Sequence, residues 1–529
     1  MSVTPQVTYP GVYIQEVPSG VRTITGVTTS VTAFIGRAKR GPEDEPVTIN
    51  SFADFERIFG GLWIESTLGY AVRDFYLNGG GQAIIVRLYH DPDSGNSIAK
   101  LDANGLKLKA VSPGAWGNYL RARVDSDVSE DLAKSYGLNK TDLFNLTLRD
   151  TKIDVTEQFR NVTVMESPRR VNRTLESESQ LMRVDSLPDP LVPPSPHLAP
   201  AADKDVWEDD NASSKVKDAD QALDGKALDD TDFTGMGKEA AKQGLYALEK
   251  ADLFNLLCIP PYRNDGNVDV TLLDKAAGYV EKRRALLLVD SPSTWTKKPA
   301  TNDVKTFLES STTSKNAALF FPRFKQPNPL RDNQMEEFVS CGAVAGVFAR
   351  IDSQRGVWKA PAGLEATLAG VPELSVSLTD AENGELNPLG INCLRTMPAV
   401  GPVVWGSRTL QGADRLASEW KYIPVRRMAL FLEESLYRGT QWVVFEPNDE
   451  PLWAQIRLNV GAFMHTLFRQ GAFQGKTPQE AYFVKCDKET TTQDDINRGI
   501  VNILVGFAPL RPAEFVVIKI SQIAGQIQT

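Results

Sequence analysis

Histidine and cysteine are scarce in this sequence, with three histidines and four cysteines among 529 residues. The cysteines stand far apart and form no C-x-x-C pair, so buried free thiols are expected rather than a metal or redox site. No histidine stands near cysteines or carboxylates at metal-ligand spacing, so each histidine is expected to be structural. These residues are Cys258, Cys341, Cys393, Cys486, His90, His197 and His465.

The sequence also lacks an excess of positive charge, a long apolar run and a secretory signal. Its net charge is −9 and its pI is about 5.2, whereas nucleic-acid binding needs a basic face. There is no run of about 18 apolar residues, and the N-terminus has no basic region followed by an apolar core. We therefore expect no nucleic-acid partner, no membrane insertion, and assembly in the cytoplasm.

No phosphate-binding loop is recognisable. The glycine run at 79–81 follows a predicted helix and precedes a predicted strand, which is the reverse of the order in a phosphate loop. Pro260, Pro261, Asp290 and Arg323 fall near the carboxyl ends of predicted strands, where α/β sheets bind ligands. A nucleophile with a base, or a metal set, is missing beside them. We predict no enzyme, no catalytic residue, no cofactor and no metal site, with an α/β enzyme as the remote alternative.

What the sequence does contain is an alternation of strand and helix patterns at residues 30–90 and again after residue 253. Ser51 followed by Asp54 has capping-box spacing, which predicts a helix over 52–59 that stops at Gly60. The predicted fold class is α/β (α+β mixed), with doubly wound core domains built on parallel strands. An inserted outer domain and extended terminal β-strand arms complete this architecture.

Four further segments carry definite predictions. Residues 335–352 are expected to form one apolar helix and residues 441–448 a strand. The C-terminal end is expected to form two long strands, over 502–510 and 513–520, because both runs are rich in β-branched residues.

Composition divides the chain into five predicted regions. The stretch at 125–250 is charged and irregular, and its proline cluster disfavours helix and central strand. We expect it to be a solvent-facing insertion that is partly structured near 140–165 and loose near 185–235. The regions are 1–29 (N-terminal arm and linker), 30–124 (α/β domain, first part), 125–250 (variable insertion), 251–395 (α/β domain) and 396–529 (C-terminal inner domain with a strand arm).

Both chain ends have the composition of strands. A lone strand is marginal in water, so each must pair either within the molecule or with a neighbouring subunit. A polar, threonine-rich spacer at 21–29 separates the first strand from the next. The N-terminal arm residues are Tyr9, Val12, Tyr13, Ile14 and Val17, and the C-terminal arm residues are Phe515, Val516, Val517, Ile518 and Ile520.

Several long stretches in a fixed order resemble the tail sheath family of contractile phages and phage-tail-like injection systems. The resemblance covers about 1–120 and 250–529, whereas 125–250 does not match and looks like a family-variable decoration. The stretches that carry it are 10–17, 26–42, 50–61, 70–88, 345–363, 426–475 and 490–520.

The resemblance implies a structural subunit that polymerises as stacked hexameric rings in a helical sleeve. The sleeve would surround an inner tube, stand on a baseplate below a terminal cap, and contract from a metastable extended state. Residues 9–17 and 514–521 would pair with adjacent subunits, and 21–29 would be the hinge that lets the first arm swing. The sequence motifs at 16–27 and 59–63 look closer to those of bacterial phage-tail-like injection systems. A contractile phage tail is the alternative. A type VI secretion sheath fits less well, because that sheath is split between two chains.

Two pairs of charged residues could supply contacts that differ between the two states. Arg426, Arg427, Glu433 and Glu434 stand on a predicted helix near the C-terminal end. The alternative interpretation is a solvated helix face, which is the commoner role of such charges. The tube-facing surface is expected in the C-terminal half, without assignment to single residues.

Overall fold

A computed structural model describes residues 22–263 and 265–519, in which twenty strands and fourteen α-helices are found. The strands are β1 Thr32–Arg37, β2 Val47–Ile49, β3 Ala83–Leu88, β4 Lys100–Ala103, β5 Leu106–Ala110, β6 Leu120–Asp125, β7 Leu143–Asp150, β8 Val155–Thr163, β9 Met182–Ser186, β10 Ser214–Lys215, β11 Leu256–Cys258, β12 Leu286–Asp290, β13 Ala317–Phe321, β14 Phe324–Asn328, β15 Gln334–Phe338, β16 Glu373–Leu374, β17 Ile391–Met397, β18 Gly401–Val404, β19 Tyr482–Lys485 and β20 Leu504–Phe507. The helices are α1 Phe52–Phe59, α2 Leu68–Leu77, α3 Glu130–Ser135, α4 Val171–Glu178, α5 Asp230–Thr234, α6 Lys238–Ala241, α7 Val270–Lys282, α8 Thr301–Ser310, α9 Cys341–Arg355, α10 Asp380–Leu386, α11 Ile423–Gly439, α12 Glu450–Arg469, α13 Pro478–Ala481 and α14 Gln493–Asn497.

A central eight-stranded sheet runs in the order β18-β17-β13-β12-β11-β1-β3-β2. The six inner strands are parallel, and the two edge strands β2 and β18 are antiparallel to their neighbours. Helices α1, α2 and α9 cover one face, and α7 and α8 cover the other. This confirms the predicted mixed α/β class, and it unites residues 30–90 and 254–404 in a single sheet with a core on each face.

The predicted boundaries of α1 are confirmed at both ends. The Ser51 hydroxyl accepts a hydrogen bond from the Asp54 amide at 3.1 Å, which satisfies one of the unpaired amides at a helix N-terminus. Gly60 takes the left-handed conformation with φ of 86° and donates to the Glu56 carbonyl. Glycine is favoured there because it has no Cβ to clash.

Three predicted elements differ in the structure. Residues 334–338 form a strand paired with β14, so the predicted helix over 335–352 begins only at Cys341, where Asp290 accepts from the Ser340 and Cys341 amides. Residues 441–443 form a short 3-10 turn instead of a strand, because they connect two packed helices. The last described strand covers only 504–507, and residues 508–519 have no regular structure.

The insertion is an ordered unit with its own core. The three-stranded sheet β4-β5-β9 and the four-stranded sheet β10-β6-β7-β8 share apolar residues drawn from 99–222. The predicted start at 125 is therefore too late, because β6 ends at that residue and packs with β7. The sequence shows no composition change at residue 99, because alternating strands keep an ordinary polar content.

The stretch expected to be loose, 185–235, is mostly irregular but is bound to the insertion by polar groups. Arg123 donates to the Ala212 carbonyl at 2.6 Å, and the Val124 amide donates to the His197 ring at 3.0 Å. Arg149 also lies over the ring of Trp207, 5.6 Å from its centroid. Hydrogen bonds to polar groups of these loops help to order the segment, and composition alone does not reveal them.

Asp74 on α2 is a buried carboxyl that faces β14. Burial raises its pKa from 3.8 to about 6, against the opposing effect of Arg73 and a hydrogen bond from Gln326 at 2.9 Å. A raised pKa means that the folded state holds a proton that the unfolded state releases between about pH 4 and pH 6. Stability should therefore fall as pH rises through this window, by up to about 3 kcal/mol.

We expect Asp74→Asn to remove this pH dependence, because the amide is neutral and Gln326 can turn to accept from it. The variant should be more stable than the parent at pH 8, and the difference should shrink toward pH 4. Denaturant unfolding at several pH values measures both effects. Equal pH slopes for variant and parent between pH 4 and 6 would contradict the assignment.

A fourth apolar core lies in the C-terminal part of the chain. It is formed by α11, α12, β19 and β20, together with Ile24 from the start of the described chain. This C-terminal unit holds the start of the described chain, and it carries the candidate site.

Candidate assembly interface

The residues near the carboxyl ends of the strands, which an α/β enzyme would use to bind a ligand, serve structural roles. A cavity of 280 Å³ lies at the carboxyl ends of β11 and β12 and is lined by Asp290 and Arg323. Asp290 caps α9 through one oxygen, and burial raises its pKa. Arg323 donates to the Ser291 and Gly266 carbonyls. Pro261 lines the same cavity. All four cysteines are buried free thiols, as predicted.

One histidine does meet carboxylates, which the sequence did not indicate. His90 lies 2.9 Å from Asp232, and Asp229 is close to both. The two aspartates already accept hydrogen bonds from the amides that open α5, so they act as helix caps. His197 is buried against β6, and His465 is exposed on α12. The cluster was missed because His90 and Asp232 are 142 positions apart in the chain.

The charged residues on α11 are mostly buried, so a solvated face is wrong for three of the four. Arg427 and Asp352 form a two-bond ion pair, at 2.9 and 2.5 Å, in which each side chain is 3% exposed. Arg426 donates to Asn316 at 2.8 Å and pairs with the exposed Glu433 at 3.1 Å.

Glu434 is the third buried member of this group. Its carboxylate accepts from Arg284 at 2.8 Å and from Arg438 at 2.7 Å. Arg426, Arg427 and Glu434 therefore have partners within the same chain. Contacts that change with state remain a prediction for this group.

Residues 22–29, which the sequence analysis identified as the hinge, are bound along α11 and α12. The Arg22 amide donates to Asn459 at 3.0 Å, and the Val27 amide donates to Ser435 at 3.2 Å. Ile24 is buried in the C-terminal core, and Thr29 bonds to Asp352 at 2.7 Å. We call this segment the strap. A free hinge at 22–29 is therefore wrong in this structure, because buried side chains on three helices hold it.

The N-terminal arm residues Tyr9, Val12, Tyr13, Ile14 and Val17 lie outside the described residues, as does Ile520. The remaining C-terminal arm residues are highly exposed: Phe515, Val516, Val517 and Ile518 are between 74% and 81% accessible. They form no strand in the single described chain. Four large apolar side chains in a row at the surface are typical of a segment that a partner covers.

Glu514, directly before these residues, is held firmly. Its two carboxylate oxygens accept from Arg408 at 2.7 and 2.6 Å, and Arg408 is 0% exposed. Burial opposes the charge of Arg408, but the hydrogen-bonded Glu514 carboxylate outweighs it and raises the pKa of the guanidinium. This pair is not evident from the sequence, because its members are 106 positions apart.

Strands β19 and β20 form a small antiparallel sheet in the same C-terminal unit as the strap. Within the described ranges these two strands pair with each other and with no third strand. Phe483 and Leu504 on them are about half exposed. Unpaired strand edges offer backbone donors and acceptors to an added strand.

In the part of the chain that the structure covers, no helix combines the length and apolar character required to cross a bilayer.

Comparison with known proteins agrees with these features. The phage tail sheath protein central domain matches residues 234–410, and the phage tail sheath C-terminal domain matches residues 417–523. The two matches together cover more than half of the chain. This chain belongs to the phage tail sheath protein family.

Individual relatives are distant. The chain is 25% identical over 179 residues to the tail sheath protein of Vibrio phage KVP40, a match that covers 34% of this chain and 25% of that protein. It is 25% identical over 287 residues to a prophage major tail sheath protein of Pseudomonas aeruginosa strain UCBPP-PA14, covering 53% of this chain and 69% of that protein. The helical sheath of the anti-feeding prophage in its contracted state shares the fold, with a TM-score of 0.57, 24% identity, and coverage of 98% and 100%.

Proposed function

We propose that this protein is the structural subunit of a contractile sheath. Copies would polymerise as stacked hexameric rings in a helical sleeve around an inner tube, between a baseplate and a terminal cap. The sleeve would contract from a metastable extended state and drive the tube through a target envelope. The observation that carries this proposal is the exposed apolar segment at 515–518, rooted in a buried ion pair and lying in the same unit as an open-edged sheet.

The pairing of terminal arms with a neighbour follows from the physics of strands. Residues 515–518 are rich in β-branched side chains and gain backbone hydrogen bonds only by joining a sheet. The open edges of β19 and β20 provide such a sheet in an adjacent copy. We assign the same kind of contact to Tyr9, Val12, Tyr13, Ile14 and Val17.

Contraction would need no fuel site in this chain, and we propose that the protein is not an enzyme. The energy would be stored in the extended lattice and released as subunits gain contacts. A difference of a few kcal/mol per subunit, summed along the sleeve, is enough to make the transition complete. Arg426, Arg427, Glu433 and Glu434 remain candidates for contacts that change, with Glu433 the most accessible of them.

We further propose a bacterial phage-tail-like injection system, with assembly in the cytoplasm, and keep a contractile phage tail as the alternative. The two use the same mechanism, so the subunit itself does not separate them. Neighbouring genes would do so: a capsid and a terminase indicate a phage, whereas an AAA+ ATPase with toxins indicates an injection system.

Electron microscopy of the purified chain beside a variant lacking residues 1–20 tests the proposal. We expect striated tubes from the intact chain and none from the truncation, because the lattice loses one of its two arms. A full-length variant with Val516→Lys and Ile518→Lys should fail in the same way. Leu191→Lys, at an exposed apolar position on the insertion, is the matched control and should form normal tubes. Monomers or small closed oligomers from the intact chain would refute the sheath assignment.

A further inference from the structure

We propose that helix α11 is a rigid strut that joins the roots of the two terminal arms and fixes their spacing. The C-terminal arm would leave the molecule at the N-terminal end of α11, and the N-terminal arm would leave at its C-terminal end. The role of this strut in an assembly rests on the proposed sheath function, but the fixed spacing of the two roots can be tested in the isolated subunit.

The first root is the Glu514 clasp beside the N-terminal end of α11. Tyr422 immediately precedes the helix, and its hydroxyl donates to Glu514 at 3.1 Å, next to the two bonds from Arg408. The other guanidinium donors of Arg408 bond to the Asn387 and Gly412 carbonyls and to Asp414. Each of the three guanidinium nitrogens therefore has a hydrogen-bond partner, and two of the three bind Glu514, which makes Glu514 a fixed point.

The solvent exposure of the chain rises sharply immediately after Glu514. Phe515 and the three residues that follow are exposed, although Glu514 itself is largely covered. The C-terminal arm can therefore reorient only beyond Glu514, and the clasp positions its base.

The second root is the strap, which runs antiparallel to α11. Arg427, near the N-terminal end of the helix, donates to the Thr29 carbonyl at 2.8 Å. Ser435, two turns further on, accepts from the Val27 amide. Arg22 lies over the ring of Trp442, just past the end of the helix, at 4.6 Å. Followed toward the N-terminus, the chain thus passes along the whole helix before it leaves the described region.

A glycine at the end of the helix makes room for the strap. A Cβ at Gly439 would lie 2.5 Å from a Cγ atom of Ile24, closer than side-chain carbons approach each other. Ile24 is packed there among residues of α11 and α12. Close packing of this kind transmits displacement rather than absorbing it.

Two consequences follow for an assembled sheath. The arm exits are separated by the length of a 17-residue helix, about 25 Å at 1.5 Å per residue. Tension between neighbouring copies would pass from one arm to the other through α11 and the groups that are bound to it. A hinge that permits subunit rotation would then lie after Glu514 and not within the strap.

Distance measurements between spin labels test the strut directly. Thr25 and Arg511 are exposed and lie beside the two roots, whereas all four native cysteines are buried, so Thr25→Cys with Arg511→Cys labels selectively. Labelled chains diluted into unlabelled chains report the distance within one subunit. We expect one narrow distance distribution in free subunits, extended tubes and contracted tubes. Its centre should shift between these states by less than one helical turn, about 5 Å. A distribution that is broad in the free subunit, or that shifts by more than a turn between states, would overturn the strut.

Glu514→Gln provides the second readout, because it keeps the shape of the side chain but removes the charge that Arg408 binds. We expect a broadened distance distribution and a roughly tenfold or greater loss of sedimentable polymer. Glu365→Gln, in the exposed pair with Arg355, is the matched control and should change neither. If the parent chain forms no tubes, the sheath function fails while the free-subunit distance still tests the strut. If tubes form and Glu514→Gln matches its control in both readouts, the strut alone fails.

Discussion

Gly342→Ala or Gly346→Ala should destabilise the protein severely, although each adds a single methyl group. A Cβ at Gly342 would lie 2.0 Å from the Ala71 carbonyl oxygen, and one at Gly346 would lie 2.4 Å from the Phe75 carbonyl oxygen. Both obstacles are backbone atoms of α2, so they can move only if the two helices separate. These glycines are four residues apart and therefore lie on one side of α9, where they let α2 approach closely.

We expect each substitution to lower the free energy of unfolding by about 3 kcal/mol or more, which is a large part of the stability of a typical domain. Denaturant unfolding, or soluble yield where the variant does not accumulate, measures the loss. Gly278→Ala is the matched control: it is an exposed position in α7 with open space for the methyl group. Because alanine is the better helix former, this control should gain about 0.5–1 kcal/mol. Equal effects at 278 and 346 would show that α2 and α9 do not depend on this close approach.

The same glycines show what the sequence could reveal about the fold. Their spacing within an apolar run is visible in the sequence, but the helix they meet is more than 250 positions earlier. Local signals did predict α1, with its serine cap and glycine stop, and they predicted the alternation of helices with parallel strands. Each of these depends on residues within a few positions of one another.

The errors lie where a distant partner decides the structure. Residues 334–338 carry a helix-compatible pattern, yet they pair with β14 because a short turn at Pro329–Arg331 brings the two strands together. Residues 513–519 have strand composition but no described strand beside them, so the prediction of a long strand there depends on a partner outside the single chain. The predicted start of the insertion, at residue 125, rested on its charged and irregular loops. Its two small sheets have an ordinary polar composition, so the sequence gives no signal where they begin.

The candidate site was predicted only in part, for the same reason. The composition of the C-terminal arm identified its exposed apolar residues. Arg408 and Glu514 carry no recognisable signal in the sequence, because only folding places them together. The polar composition of the strap predicted a flexible hinge, whereas buried side chains hold this segment in place. A threonine-rich segment can be fixed by its amides and hydroxyls as firmly as an apolar segment is fixed by burial.

The second large effect is expected at the pair of Arg427 and Asp352. Each partner is 3% exposed, and removing one leaves an uncompensated buried charge, which costs about 3–5 kcal/mol. We therefore expect Arg427→Met and Asp352→Leu each to lower the free energy of unfolding by several kcal/mol. Because the pair is shielded from solvent, the loss should change little between low and high salt.

The double variant separates the cost of breaking the pair from its net contribution. Arg427→Met with Asp352→Leu leaves no buried charge, so it should recover much of the stability that either single change removes. The exposed pair of Arg355 and Glu365 is the matched control, and its disruption should cost less than about 1 kcal/mol. Additive losses in the double variant would mean that the two side chains are not coupled.

The strap adds a readout that stability alone does not provide. Thr29 bonds to Asp352 through its hydroxyl and to Arg427 through its carbonyl, so the pair also holds the end of the strap. If the double variant regains stability with apolar side chains, it still offers Thr29 neither partner. We then expect a well-folded subunit with faster amide exchange at 22–29 and with shorter or fewer tubes, because one arm has lost part of its anchorage while the core is intact.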